Sequence, residues 1–141
     1  MPRVVLDTDV IVTALRSITG GSNALLREVA NSYVVPLVTP ALFLEYEAVL
    51  KRAEQRLVHG LSLDEIDDFL AALASASEAV EVSFQWRPQL SDADDEMVLE
   101  AAVNGQAEAL ITHNLRDFAK GAERFGVRVL RPGDYLKELR S

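Results

Sequence analysis

Acidic residues at apolar positions are the first feature of this chain that could do chemistry. In VVLDTDVIV, residues 4–12, Asp7 and Asp9 close a run that otherwise reads as a buried strand. An ionised carboxylate is costly to bury without a counter-charge. Two further acids pose the same problem. On PALFLEYEAVLKR, at about 100° per helical residue, Glu45 lies within about 60° of Leu42 and about 40° of Val49, on the apolar face, while Glu47 is rotated away from it. On SDADDEMVLEAA, Asp95 lies within about 60° of Val98, Leu99 and Ala102, and Glu96 and Glu100 fall on a different side. Asp92 and Asp94 stand at the entrance of that helix, where capping and the helix dipole account for them. Asp7, Glu45 and Asp95 converging on one divalent cation would each be paired. All-oxygen donors of this kind suit magnesium or manganese.

The elements that must bring these acids together alternate between short β-branched runs and longer helical patterns. RVVLDT reads as a strand, VIVTALR and SNALLREVANS as helices, and YVVPLVT as a strand in which Pro36 marks an irregular or exposed position. Pro40 opens the helix ALFLEYEAVLKRAEQR, and Ser62 with Glu65 forms a capping box for SLDEIDDFLAALASAS. AVEVSF is strand-like, SDADDEMVLEAAVNG is a helix with Gly105 just past its end, and AEALIT is a strand. NLRDFAK, VRVL and PGDYLKEL follow as a short helix, a strand and a closing helix. Strands separated by helices imply parallel pairing with both sheet faces covered. The expected fold is an α/β, three-layer α/β/α domain over residues 1–141, with a central, mainly parallel sheet. Ligands collect beyond the carboxyl ends of such strands, where Asp7 and the THN at 112–114 lie.

Composition narrows the chemistry. At 141 residues, 49% hydrophobic and 26% charged, the chain can bury one sizeable core. It has no cysteine, which excludes disulfides, thiolate zinc sites and a cysteine nucleophile. MPRVVLDTD carries no charged leader before an apolar core, and no run is long enough for a membrane span, so a cytoplasmic location is expected. The net charge of −8 disfavours nucleic acid in bulk. Bound cations invert that field locally, and arginines, which outnumber Lys51, Lys120 and Lys137, can still form a phosphate-contacting patch.

Four segments in order, VVLDTDVIVTAL, PALFLEYEAVLKR, SDADDEMVLEAAVNGQAEALITHNLRDF and GVRVLRPGDYLKEL, resemble the PIN-domain family over nearly the whole chain. The likeness is strongest to the VapC-like toxins of prokaryotic toxin–antitoxin systems. The resemblance implies a metal-dependent ribonuclease acting on single-stranded RNA, with Mg2+ or Mn2+ held by Asp7, Glu45, Asp95 and, in the toxin branch, Asp117. It also implies a small cognate antitoxin. Thr112 corresponds to the family's supporting hydroxyl. Asn114 stands where the family commonly has Asp or Asn after that threonine, and Asp9 where it usually has Asn. Asp9 is read here as a cap on the helix from Val10.

Bound ions would supply a hydroxide and stabilise charge growing on phosphorus, leaving, as the resemblance implies, a 5′-phosphate and a 3′-hydroxyl. Arg16 and Arg116 are the candidates for RNA phosphate, His113 is placed in a loop beside them, and His59 on the surface. The face with Phe69, Leu70 and Leu73 reads as core, with a homodimer contact as its other use. Two rival readings stand beside this one. VVLDTDVIV also resembles the first motif of haloacid-dehalogenase-type phosphatases, with Asp7 as nucleophile, but no lysine is suitably placed and THNLRD lacks their Gly-Asp pair. A non-catalytic module of the same fold, binding RNA or a partner, is the rival from another class.

Overall fold

The computed structural model describes residues 1–83, 90 and 92–141. The elements in chain order are β1 (Arg3–Leu6), α1 (Thr8–Arg16), α2 (Gly21–Ala30), β2 (Val35–Val38), α3 (Pro40–Leu50), α4 (Ala53–His59), α5 (Leu63–Ala76), β3 (Glu78–Ala79), α6 (Ala93–Gly105), β4 (Ala109–Ile111), α7 (Leu115–Arg124), β5 (Val129–Leu130) and α8 (Pro132–Arg140). Among the described residues the strands form one sheet in the order β3-β2-β1-β4-β5, every pair parallel. Val4, Val5 and Leu6 of β1 and Ala109, Leu110 and Ile111 of β4 are consecutive and fully buried. Residues that alternate between sheet faces can all be buried only if helices cover both. The expected layered α/β architecture is the one observed.

Several local expectations hold and several shift. Ser62 and Glu65 form the reciprocal capping box at α5, and Asp92 caps α6 by accepting the Asp94 amide at 2.8 Å. The long helix expected from Pro40 is broken into α3 and α4 at Lys51 and Arg52. His59, expected on the surface, is half-buried at the far end of α4. Its Nδ1 accepts the Leu61 amide at 2.9 Å, so the proton sits on Nε2, which donates to the Leu50 carbonyl at 3.0 Å. The strand expected over 79–84 reduces to β3; Phe84, like Ser91 of the expected α6 segment, lies outside the described residues. Gly105 is the last residue of α6, and the left-handed cap is Gln106, at φ 53°. A side chain at 105 would meet Leu37 Cδ1 at 2.9 Å and Val80 Cγ2 at 3.0 Å, so the glycine serves close helix–sheet packing. Pro36 is buried within β2. The Val35 amide points to Pro2, on the β1 side. Pro36, with no N–H to offer, therefore faces the β3 side, at a position before the register Leu37↔Glu78 begins.

The strand order reverses once. From β1 the chain moves out through β2 to β3, and α6 carries it back across β2 and β1 to β4 on the other side. A crevice therefore opens between the carboxyl ends of β1 and β4. Tyr46, buried on α3, donates its hydroxyl to the carbonyl of Leu6, the last residue of β1, and burial pushes that hydroxyl's pKa upward. This bond anchors α3 to the strand end that carries Asp7. Tyr46→Phe is expected to destabilise the protein by about 1–3 kcal/mol, the usual cost of stranding a buried acceptor, measured by urea unfolding. An unchanged midpoint would show that the anchor contributes nothing.

Candidate metal and phosphodiester site

Asp7 is placed by the backbone. Its amide donates to the Ile111 carbonyl at 2.9 Å, extending the β1–β4 ladder by one residue, and it is also the N-cap position of α1. Its side chain makes no cap bond and is 6% exposed. One carboxylate oxygen, Oδ2, accepts from Thr112 Oγ1 at 2.8 Å across the crevice. Thr112 is fully buried, and its amide continues the neighbouring ladder by donating to Leu130 at 3.0 Å. The hydroxyl therefore stands fixed between two strand ends.

Asp9 does not cap a helix from Val10, because α1 begins at Thr8 and holds Asp9 in its first turn. Its Oδ2 instead gathers the loop after β4, accepting the His113 amide at 3.1 Å, Asn114 Nδ2 at 3.1 Å and, more weakly, Thr112 Oγ1 at 3.4 Å. The Asp9 carboxylate and the Asn114 amide thus form a complementary acceptor–donor pair. Asp9 Oδ1 is buried and has no partner among the described residues. His113 is held from its other end by Ser22 of α2, with Nε2 and Oγ 2.8 Å apart. Burial lowers its pKa, Asp7 opposes that shift and Arg131 adds to it.

Electrostatics show which acids share this space. Burial, then Asp9, raises the Asp7 pKa from 3.8 to about 7. Asp95, in the first turn of α6, is raised from 3.8 to about 7 by burial and then by Asp7, Asp92, Asp117 and Asp94. Asp117 is exposed on the first turn of α7. Glu45, half-buried on α3, is raised by burial and by Asp94 and Asp92, with Arg52 opposing. Asp95 thus feels both Asp7 and Asp117, and Glu45 joins the group through the start of α6. Among the described residues no three His, Asp or Glu side chains are grouped tightly enough to hold an ion as they stand. The donors are nonetheless all oxygen, Asp7 and Asp117 both repel Asp95, and the orphaned Asp9 Oδ1 lies near Asp7. That chemistry fits a hard divalent cation.

The predicted phosphate ligands separate. Arg116 is exposed beside Asp117 on α7, at the crevice edge. Arg16, at the end of α1, donates to Gln55 of α4 at 3.2 Å. The sequence reading missed the burial of Glu96 and Glu100 on α6. Glu96 accepts the Leu90 amide at 2.5 Å, an attachment that helical periodicity could not reveal.

The PIN domain family's sequence profile matches residues 3–116. The chain belongs to the PIN-domain family. PIN domains of the VapC kind are nucleases, and PIN nucleases generally use divalent metal ions. Among solved structures, a chain of VapBC2 from Rickettsia felis, bound to a DNA fragment from their promoter, superposes with a TM-score of 0.61 over 92% of this chain and 97% of that one, at 14% identity. This likeness supports the fold. No curated protein matches the sequence significantly. Among the described residues of this PIN domain no helix is long and apolar enough to cross a membrane.

Two outcomes follow from this geometry. Between pH 3.8 and about 7 the folded protein holds a proton on Asp7 that the unfolded chain releases. The stability tied to Asp7 is therefore full below pH 3.8 and is lost as pH rises through about 7. In EDTA, Asp7→Asn should flatten the fall in unfolding free energy over that range by up to about 1.4 kcal/mol per pH unit. Parallel pH profiles of the two proteins would contradict it. Separately, Asp9→Ala, which strands the three loop donors held by Oδ2, should lower stability by about 1–3 kcal/mol, and Asn114→Ala should cost less in that background than alone. A double-mutant cycle with no coupling would sink the Asp9–Asn114 pairing.

Proposed function

We propose that the chain is a metal-dependent ribonuclease that cuts single-stranded RNA and is the toxin of a toxin–antitoxin pair. The observation that carries this reading is the acid group at the switch point, where burial first of all raises Asp7 and Asp95 to about 7, Asp9 adds to the shift of Asp7, and Asp7 and Asp117 add to that of Asp95. Asp7, Glu45, Asp95 and Asp117 are the proposed metal ligands, and Thr112, Asn114 and Asp9 support them. The metal is magnesium or manganese.

Each side chain has a definite task in this reading. Thr112 holds Asp7 in one orientation through Oδ2. Asp9 fixes the 112–114 loop, so that Asn114 spends its amide on Asp9 and brings no charge to the site. Asp95 and Asp117 add the negative charge that draws in a cation. Once bound, the ion supplies an activated water and stabilises charge developing on the phosphoryl oxygens. Arg116 contacts RNA phosphate in this reading, and so does Arg16 once released from Gln55. The antitoxin is a small protein that sets an arginine into the acidic crevice, a contact favoured by charge complementarity. The protein acts in the cytoplasm as one PIN-like domain spanning residues 1–141.

The test is cleavage of a mixed set of single-stranded RNAs by the purified protein. Cutting is expected with manganese and not with EDTA, with 5′-phosphate ends by mass spectrometry. Asp95→Asn should lower the rate at least about a hundredfold, as loss of one charge-stabilising group does. A neutral Asn114, together with acids that form no closed cage among the described residues, favours a second reading, a non-catalytic binding module. A rise in melting temperature with manganese but no cleavage of any RNA would support that reading and overturn the first.

A further inference from the structure

A site this acidic repels the polyanion it is proposed to cut, so the strand needs a cationic hold close by. Several basic groups are committed elsewhere. Arg3 pairs with Glu78, Arg128 with Glu138, Arg140 with Glu28, and Lys51 with Glu47 and Asp67. At the carboxyl edge beside β4 and β5 stand Arg116 and Arg131. Arg131 directly follows β5 and is exposed, with no ion pair among the described residues. The register Ile111↔Leu130 sets it next to Thr112, whose amide bonds to Leu130.

One backbone approach and one side-chain bond close this corner. A side chain at Gly21 would meet Gly133 N at 3.3 Å, so the start of α2 lies against the residues following Arg131. From that same start of α2, buried Ser22 reaches His113. His113 in turn donates its amide to Asp9. Arg131 is thereby tied to the acid group through one continuous set of contacts. The field of Arg131 is felt at the His113 ring.

We propose that Arg131, at the corner framed by Ser22 and His113, forms a subsite for a phosphate of the RNA strand other than the one cleaved. Arg131 supplies the charge and a planar, two-pronged donor set suited to phosphate oxygens. The Ser22–His113 bond joins this corner to the loop that Asp9 holds. The strand then runs from the crevice towards the β5 side of the sheet.

This inference rests on the ribonuclease reading, and its test separates the two. Initial rates on a single-stranded RNA oligonucleotide, with manganese and across a salt series, are compared for wild type, Arg131→Ala, Arg131→Lys and, as a remote exposed control, Arg27→Ala. Arg131→Ala should raise KM about fivefold or more with kcat within about twofold, the pattern of lost uniform binding. The slope of log(kcat/KM) against log salt should become shallower by about 0.7, the value for one single-strand phosphate contact. Arg131→Lys should keep the slope and recover part of the KM, and Arg27→Ala should change neither. An active wild type with KM and slope unaltered in Arg131→Ala would overturn the subsite alone. A wild type that cuts no RNA would overturn the ribonuclease reading and the subsite with it.

Discussion

The carboxylate of Asp7 lies at the point where the sheet reverses its strand order, and much of the surrounding structure serves to hold it there. A buried acid at a strand end is expensive, and two features keep it in place. The ladder bond to Ile111 fixes its backbone, and the Thr112 hydroxyl fixes one oxygen. Neither feature neutralises it. The remaining cost appears as proton retention, because burial and Asp9 together outweigh the hydrogen bonds that favour the charged form. Such a site is poised for a cation, since any group that supplies positive charge there relieves repulsion already built into the fold.

The topology explains why residues so far apart in sequence can answer to one another. Parallel strands place their carboxyl ends on the same edge, and the return of α6 across β2 and β1 brings Asp95 to the edge where Asp7 ends β1. The loop after β4 reaches the same place from the opposite side. Asp9 then does for this loop what a turn motif would do elsewhere, gathering donors from three consecutive residues on one oxygen. Rigid positioning of this kind costs nothing further when a substrate arrives.

The charge distribution has a division of labour. Several basic side chains are bound in exposed ion pairs such as Arg128–Glu138, contributions of modest energetic weight. Arg116 and Arg131 have no such pairing among the described residues and stand at the edge with the acids. A chain with a net charge of −8 can still offer a cationic flank to a phosphodiester strand, because a few unpaired groups near the site matter more than the total.

Periodicity was enough to read the alternation of strands and helices, the apolar face of α3, the capping box at Ser62 and Glu65, and the strand-end position of Asp7. These follow from local rules, in which each residue's neighbours four or fewer positions away decide its conformation and face. The break between α3 and α4, the burial of Glu96 and Glu100, and the tether from Ser22 to His113 were not legible. Each depends on a partner brought close only by packing. Asp9 is the clearest case. Its sequence neighbourhood offers a helix start to cap, but donors from residues 112–114, more than a hundred positions away, hold its carboxylate. The sequence by itself determined which residues are acidic and which elements carry them. Only the tertiary structure decided which of those acids come close enough to repel and which loop donates to Asp7 and Asp9, because Coulomb interaction and hydrogen bonding act across space and not along the chain.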